Sequence, residues 1–183
     1  VEKLNYSFEF DSIETLDNTA CLQSGFFIWV WHVTKIPPHI GCSIDGSYYA
    51  LKVQSKDLAI PVDSVISVVA KKNIPTFLIK LNTTAAINSA HIDQVFREES
   101  LLSSGLNSCT TPINKLFNCP ANYQLAELLE VINETIGISK TIGFHVPHEQ
   151  KGILNYTKRE IEDRIKLLTD AKRKTRLPEN GGA

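Results

Sequence analysis

His39-Ile40-Gly41-Cys42-Ser43-Ile44-Asp45-Gly46-Ser47-Tyr48-Tyr49 is the stretch on which the reading of this chain turns. Asp45-Gly46 accepts the positive φ angles of a two-residue hairpin turn, and apolar runs flank it on both sides. With those two residues as the loop, Ser43 faces Tyr48, Gly41 faces Ala50 and His39 faces Lys52. Side chains alternate along a strand, so these six share one side of the ribbon. Ile40, Cys42, Ile44, Tyr49, Leu51 and Val53 take the other, which reads as a core face. Cys42 is then a small buried hydrophobe rather than a nucleophile. His39 lies on the more polar side, where Gly41 and Ala50 leave room for another element to approach. From spacing alone, a histidine at a strand start is more often an edge or surface residue than a reactive one.

Outward from the hairpin, alternation and apolar runs predict strands at 6–10, 26–33, 76–81 and 140–146. Pro37-Pro38 forces an extended break before the hairpin. Helices are expected at 61–71, more weakly at 83–98, in a short piece after Cys109, and at 125–136, where Gly137 ends the stripe. Thr157 with Glu160 matches a capping box and opens an amphipathic helix carrying Ile161, Ile165 and Leu168. The expected fold is α+β, a mostly antiparallel sheet packed with helices, in a single domain at 1–177 with a flexible tail at 178–183.

The chain has 183 residues, enough for one sizeable core. Its net charge of −1 gives no global field that would favour nucleic acid. The basic run 172–176 reads as the solvated end of a helix. No apolar run reaches the ~18 residues of a membrane span. The chain starts at Val1 and contains no methionine. This reads as a natural start that has been cut away, which leaves export open through a lost signal, with a cytoplasmic placement slightly favoured. Four cysteines are too few for a disulfide scaffold, although Cys109 and Cys119 could bridge in an oxidising compartment. No spacing suggests zinc, no glycine-rich phosphate loop occurs, and no cofactor or metal is expected.

The second reactive residue is Cys109, in Asn107-Ser108-Cys109-Thr110-Thr111. It shares a stripe with Ile113, Leu116 and Phe117, so a core cysteine is one reading. Pro112 supplies the other. Proline is tolerated only in the first turn of a helix, which starts the helix near Cys109. A thiol at the positive end of a helix dipole is stabilised as thiolate. If His39 packs against that end, a thiolate–imidazolium pair is expected.

Together these residues resemble a known family. The stretch from His39 to Tyr49 resembles the histidine strand and hairpin of NlpC-type papain-like cysteine peptidases. The order here, histidine before cysteine, is that of the circularly permuted branch, which includes lecithin retinol acyltransferase. Asn107-Ser108-Cys109-Thr110-Thr111 looks like that branch's cysteine motif with one residue inserted, and the likeness covers roughly residues 24–118. The resemblance implies a permuted papain-like fold and a cysteine hydrolase or acyltransferase acting on an amide or ester. Cys109 would be the nucleophile and His39 the base. Backbone N–H groups at the helix start would hold the oxyanion. Ser43, Tyr48 and Lys52 would be substrate-binding or orienting residues. The family's third polar residue falls at Ala50, which cannot orient an imidazole, and Lys52 faces His39 instead. Ser43, Ser47 or a backbone carbonyl would have to substitute. A catalytically inactive binding domain on the same fold is therefore the alternative. The implied partner is a small-molecule, peptide or lipid-like substrate.

The remaining candidates read as structural. His32 beside Trp31 is expected to pack in the strand, and His91 to be exposed. His145 and His148 have a spacing that suits a metal pair but lack a third ligand. Asp57 and Asp63 read as surface carboxylates or helix caps. Phe27, Trp29 and Trp31 form an aromatic stripe expected in the core.

Overall fold

A computed structural model describes residues 4–82 and 87–174. The expected tail at 178–183 and the start of the weak helical stretch at 83–86 lie outside the described residues. The strands are β1 (Tyr6–Glu9), β2 (Glu14–Thr15), β3 (Phe26–Trp31), β4 (His39–Ile44), β5 (Ser47–Leu51), β6 (Lys56–Pro61), β7 (Thr76–Leu81), β8 (Ile138–Phe144) and β9 (Gly152–Leu154). The helices are α1 (Val62–Lys71), α2 (Ser89–Glu98), α3 (Thr111–Leu116), α4 (Leu125–Thr135) and α5 (Lys158–Lys174). Seven strands form one sheet in the order β2-β8-β7-β3-β4-β5-β6, and β1 pairs with β9 in a separate ribbon. Among the described residues, only β2 and β8 pair in parallel. The fold is thus α+β with a mostly antiparallel sheet.

The hairpin takes the expected register, with Ser43 opposite Tyr48 and Ile44 opposite Ser47. Asp45 and Gly46 sit at φ 45° and 81°, the mirror-image turn that suits strand twist. The Asp45 carboxylate accepts the Gly25 N–H at 2.9 Å and so pins the turn to the start of β3.

Both faces of the sheet are buried, by different helices. One carries Ile28, Ile40, Cys42, Tyr49 and Phe77 against α2, α3 and α4. The other carries Phe27, Trp29, Tyr48, Ala50 and Leu78 against α1. Gly41 and Ala50 were expected to leave room for another element to approach; α1 covers that face, and a side chain of the hairpin itself fills the space over Gly41. Ala50 is fully buried, and the Tyr48 ring fills the space over Gly41, so that a Cβ there would lie 2.7–2.8 Å from ring carbons. Hairpin arithmetic gives the side of a residue but not what covers that side. The covering element was visible in sequence as the apolar face of α1, with Val62, Val65, Ile66 and Val69 all buried.

Three further expectations shift. Pro61 ends β6 and caps α1 rather than opening it. The second hairpin strand stops at Leu51, where Lys52 N–H turns back to Ser55 O at 2.9 Å. The strands β2, β6 and β9 had no clear alternation to announce them.

Candidate active site

His39 opens β4, and its neighbour across the sheet is Trp31 at the end of β3. The imidazole is half-buried, with its ring centroid 6.3 Å from that of the Trp31 indole. Cys109 lies two residues before α3, with Pro112 in the first helical turn as its spacing required. Its approach is fixed by short polar contacts. Ser108 N–H donates to Thr111 Oγ1 at 3.0 Å, and the Ser108 and Thr110 hydroxyls lie 2.7 Å apart. Thr110 Oγ1 donates to Tyr123 O at 3.2 Å. Asn107 Nδ2 donates to the Glu99 carboxylate at 2.9 Å, and Lys115 from α3 pairs with the same nearly buried group.

This loop brings Cys109 to the base of the hairpin. The backbone of Ile40, the residue after His39, lies close enough to the thiol to favour its ionised form, as do the backbone groups of Cys109 and Thr110. Cys109 and His39 line one cleft of ≈ 680 Å³. Its other walls are the loop from His32 to Pro38, Tyr156, and the apolar stripe of α5 through Ile161, Ile165 and Leu168. No direct hydrogen bond joins the Cys109 and His39 side chains.

Electrostatics correct the expected ion pair. Burial pushes the Cys109 thiol up to about 11, although those backbone groups pull the other way. Burial, and then the Lys52 ammonium, hold His39 down at about 4, with Asp57 opposing. The resting state is a neutral thiol and a neutral imidazole lining the same cleft. A neutral imidazole can accept a proton, so the pair suits attack assisted by a general base rather than a preformed thiolate.

The orienting candidates separate. Lys52 lines the cleft and pairs with Asp57 at 2.7 Å. Ser43 does not reach the cleft. It is fully buried in the α1-side core, where its hydroxyl accepts the Trp29 indole N–H at 2.8 Å. Tyr48 is likewise buried there, in edge contact with Trp29 and below Trp31. Neither is available to bind substrate. The Cys42 thiol is sealed in the opposite core and pushed far up by burial.

Asp57 went unrecognised in the sequence. It is neither an isolated surface carboxylate nor a cap, but sits opposite Ala50 on β6. A register shift between Tyr48 and Ala50, with Ala59 at φ 53°, puts Asp57 where an unbroken ladder would put Leu58. The carboxylate thus reaches the face of His39 beside the position where a third polar residue was missing. Tyr156 and Arg164 also line the cleft and gave no sequence signal. His32 is not packed within β3. It follows the strand with φ 57° and lines the mouth of the cleft. The remaining histidines, His91, His145 and His148, are exposed. Among the described residues, no group of three or more His, Cys, Asp or Glu could hold a metal ion, and all four cysteines are free. No helix among them is long and apolar enough to cross a membrane.

Compared with known proteins, the chain matches no family model, no curated protein and no solved structure.

The position of His39 has a consequence for stability. An unfolded histidine takes up its proton near pH 6.5, whereas folded His39 resists until about 4. Between those values the unfolded chain binds more protons, so stability falls as pH falls through the window. The loss is at most about 3 kcal/mol. Urea unfolding between about pH 7 and 4 should show this slope in the wild type and a shallower one in His39→Gln. Equal slopes would mean that His39 is not shielded from solvent.

Proposed function

We propose that the chain is a cysteine hydrolase or acyltransferase of the permuted papain-like kind, acting on an amide or ester. The observation that carries this reading is the convergence of Cys109 and His39 in one cleft, from motifs some seventy positions apart in the order that branch uses. Cys109 Sγ would attack the carbonyl carbon while His39 takes the thiol proton. The tetrahedral oxyanion would be held by backbone N–H groups at the start of α3. On collapse, the bond from carbon to the leaving group breaks, His39 gives its proton to that group, and a thioester remains on Cys109. Water, or an acceptor hydroxyl or amine, then attacks the thioester. His39 removes the attacker's proton, the carbon–sulfur bond breaks to release the acyl product, and the proton passes to the departing sulfur. Asp57 would take the place of the orienting residue absent at Ala50, offsetting the Lys52 charge beside the imidazole.

A second reading, a binding domain without turnover, is favoured by the lack of a direct bond between the two side chains and by Ala50. Catalytic hydrogen bonds often close only around substrate, so resting geometry does not decide between the two. Turnover of p-nitrophenyl butyrate and of an N-acyl p-nitroanilide decides it. The wild type should exceed Cys109→Ala by about a thousandfold or more on at least one substrate. Equal rates for the two proteins would leave the binding reading.

A further inference from the structure

The cleft beside Cys109 carries a charge pattern that the reaction itself does not use. Its walls are largely apolar, with Ile36, Pro37, Val53, Tyr156 and Ile161 among them. Its charged lining residues are Lys35, Lys52 and Arg164, all cations, in a chain whose net charge is −1. Lys52 is committed to Asp57. No carboxylate among the described residues pairs with Lys35 or Arg164. Those two line the cleft together with His32. His32, at the mouth of the cleft, is held below its ordinary range by burial and then by the Lys35 and Arg164 charges. Two cations from separate elements, the loop before β4 and helix α5, thus line the same largely apolar cleft as the thiol.

We infer that this cleft takes an acyl group whose apolar chain ends in an anionic head, carboxylate or phosphate, held between Lys35 and Arg164 with the chain running toward Cys109. The inference rests on the proposed acyl chemistry for its purpose, but the binding itself does not require it. A second chamber of ≈ 620 Å³ explains where the rest of the substrate goes. Ser108, Thr110, Ile161 and Ile165 line both chambers, so α5 crosses above the junction and Cys109 lies beside it. The second chamber mixes apolar walls, Leu106 and Tyr123 among them, with the polar side chains of Asn107, Thr111, Asn122 and Gln124. It suits a polar leaving group or acceptor. The scissile bond would then sit at the junction, with the anionic acyl part on one side and the polar part on the other.

The test is calorimetric binding of octanoate, octyl phosphate and octanamide to Cys109→Ala, which cannot turn over. Octanoate should bind about tenfold more tightly than octanamide at low salt, and the difference should shrink as ionic strength rises. The double variant Lys35→Ala/Arg164→Ala, both exposed positions, should abolish the preference and leave octanamide binding unchanged. Octyl phosphate binding as well as octanoate would show that charge is read, and weaker binding would assign the site to a carboxylate. Octanamide binding as tightly as octanoate, no binding of any of the three, or a preference that survives the double variant would overturn the inference. None of these results depends on whether Cys109 is a nucleophile, which the ester and anilide assay decides separately.

Discussion

Replacing His39 with alanine is expected to slow ester turnover at Cys109 by about a hundred- to ten-thousandfold. The size follows from the thiol. With Cys109 pushed up to about 11, only about one chain in ten thousand would carry the thiolate unaided near neutral pH. A base must therefore remove the proton as the sulfur attacks, and His39 lines the same cleft and is held neutral by its surroundings. Burial, reinforced by Lys52, holds it at about 4. The pH profile of kcat/KM follows with a definite sign. Activity should fall as pH drops through about 4, where imidazolium can no longer accept a proton, and should be nearly flat from there to about neutrality. His39→Gln, which keeps the volume but not the basicity, should lose as much as alanine. A variant that retained more than about a tenth of the rate would reduce His39 to a structural residue.

Replacing Trp29 with alanine is expected to cost about 4 kcal/mol of folding stability. Trp29 is fully buried at the centre of the α1-side core, packed on Tyr48 and stacked near Trp31. Its removal opens a cavity and also strips the buried Ser43 hydroxyl of the indole N–H it accepts. Total stabilities are about 5–15 kcal/mol, so the loss would be a large share. Trp29→Phe should lose about half as much, since it refills most of the volume and leaves only the hydroxyl orphaned. Urea midpoints at unchanged slope measure both. A loss below about 1 kcal/mol for the alanine variant would mean that this core is not built around Trp29. Trp31 and His39 adjoin the same aromatic group, so the alanine variant should also lose turnover.

These two residues mark what sequence could and could not reveal. The hairpin was legible because Asp45-Gly46 sets one register and alternation does the rest. The position of Cys109 ahead of a helix was legible because Pro112 permits no other helix start. The cover over the polar side of the hairpin was not, because alternation names a face without naming its neighbour. Trp29, Tyr48 and α1 supply that cover, and they moved Ser43 and Tyr48 from the site into the core. Asp57 was hidden by a bulge, which changes the face of every residue beyond it without any marker in composition. The charge states of the pair were also out of reach. A helix start near cysteine argued for thiolate, whereas burial of Cys109, read only in three dimensions, outweighs it.

The most direct measurement of the central claim is peptide-resolved acylation of the intact protein by p-nitrophenyl butyrate. All four cysteines are free and report in one sample, with half-buried Cys21 as the reference thiol and sealed Cys42 as the blank. The account predicts a thioester on Cys109 in preference to Cys21 and Cys119, formed at least about a hundredfold more slowly in His39→Ala. Acylation spread over Cys21 and Cys119 with Cys109 unmodified, or a Cys109 adduct that forms as fast without His39, would contradict it.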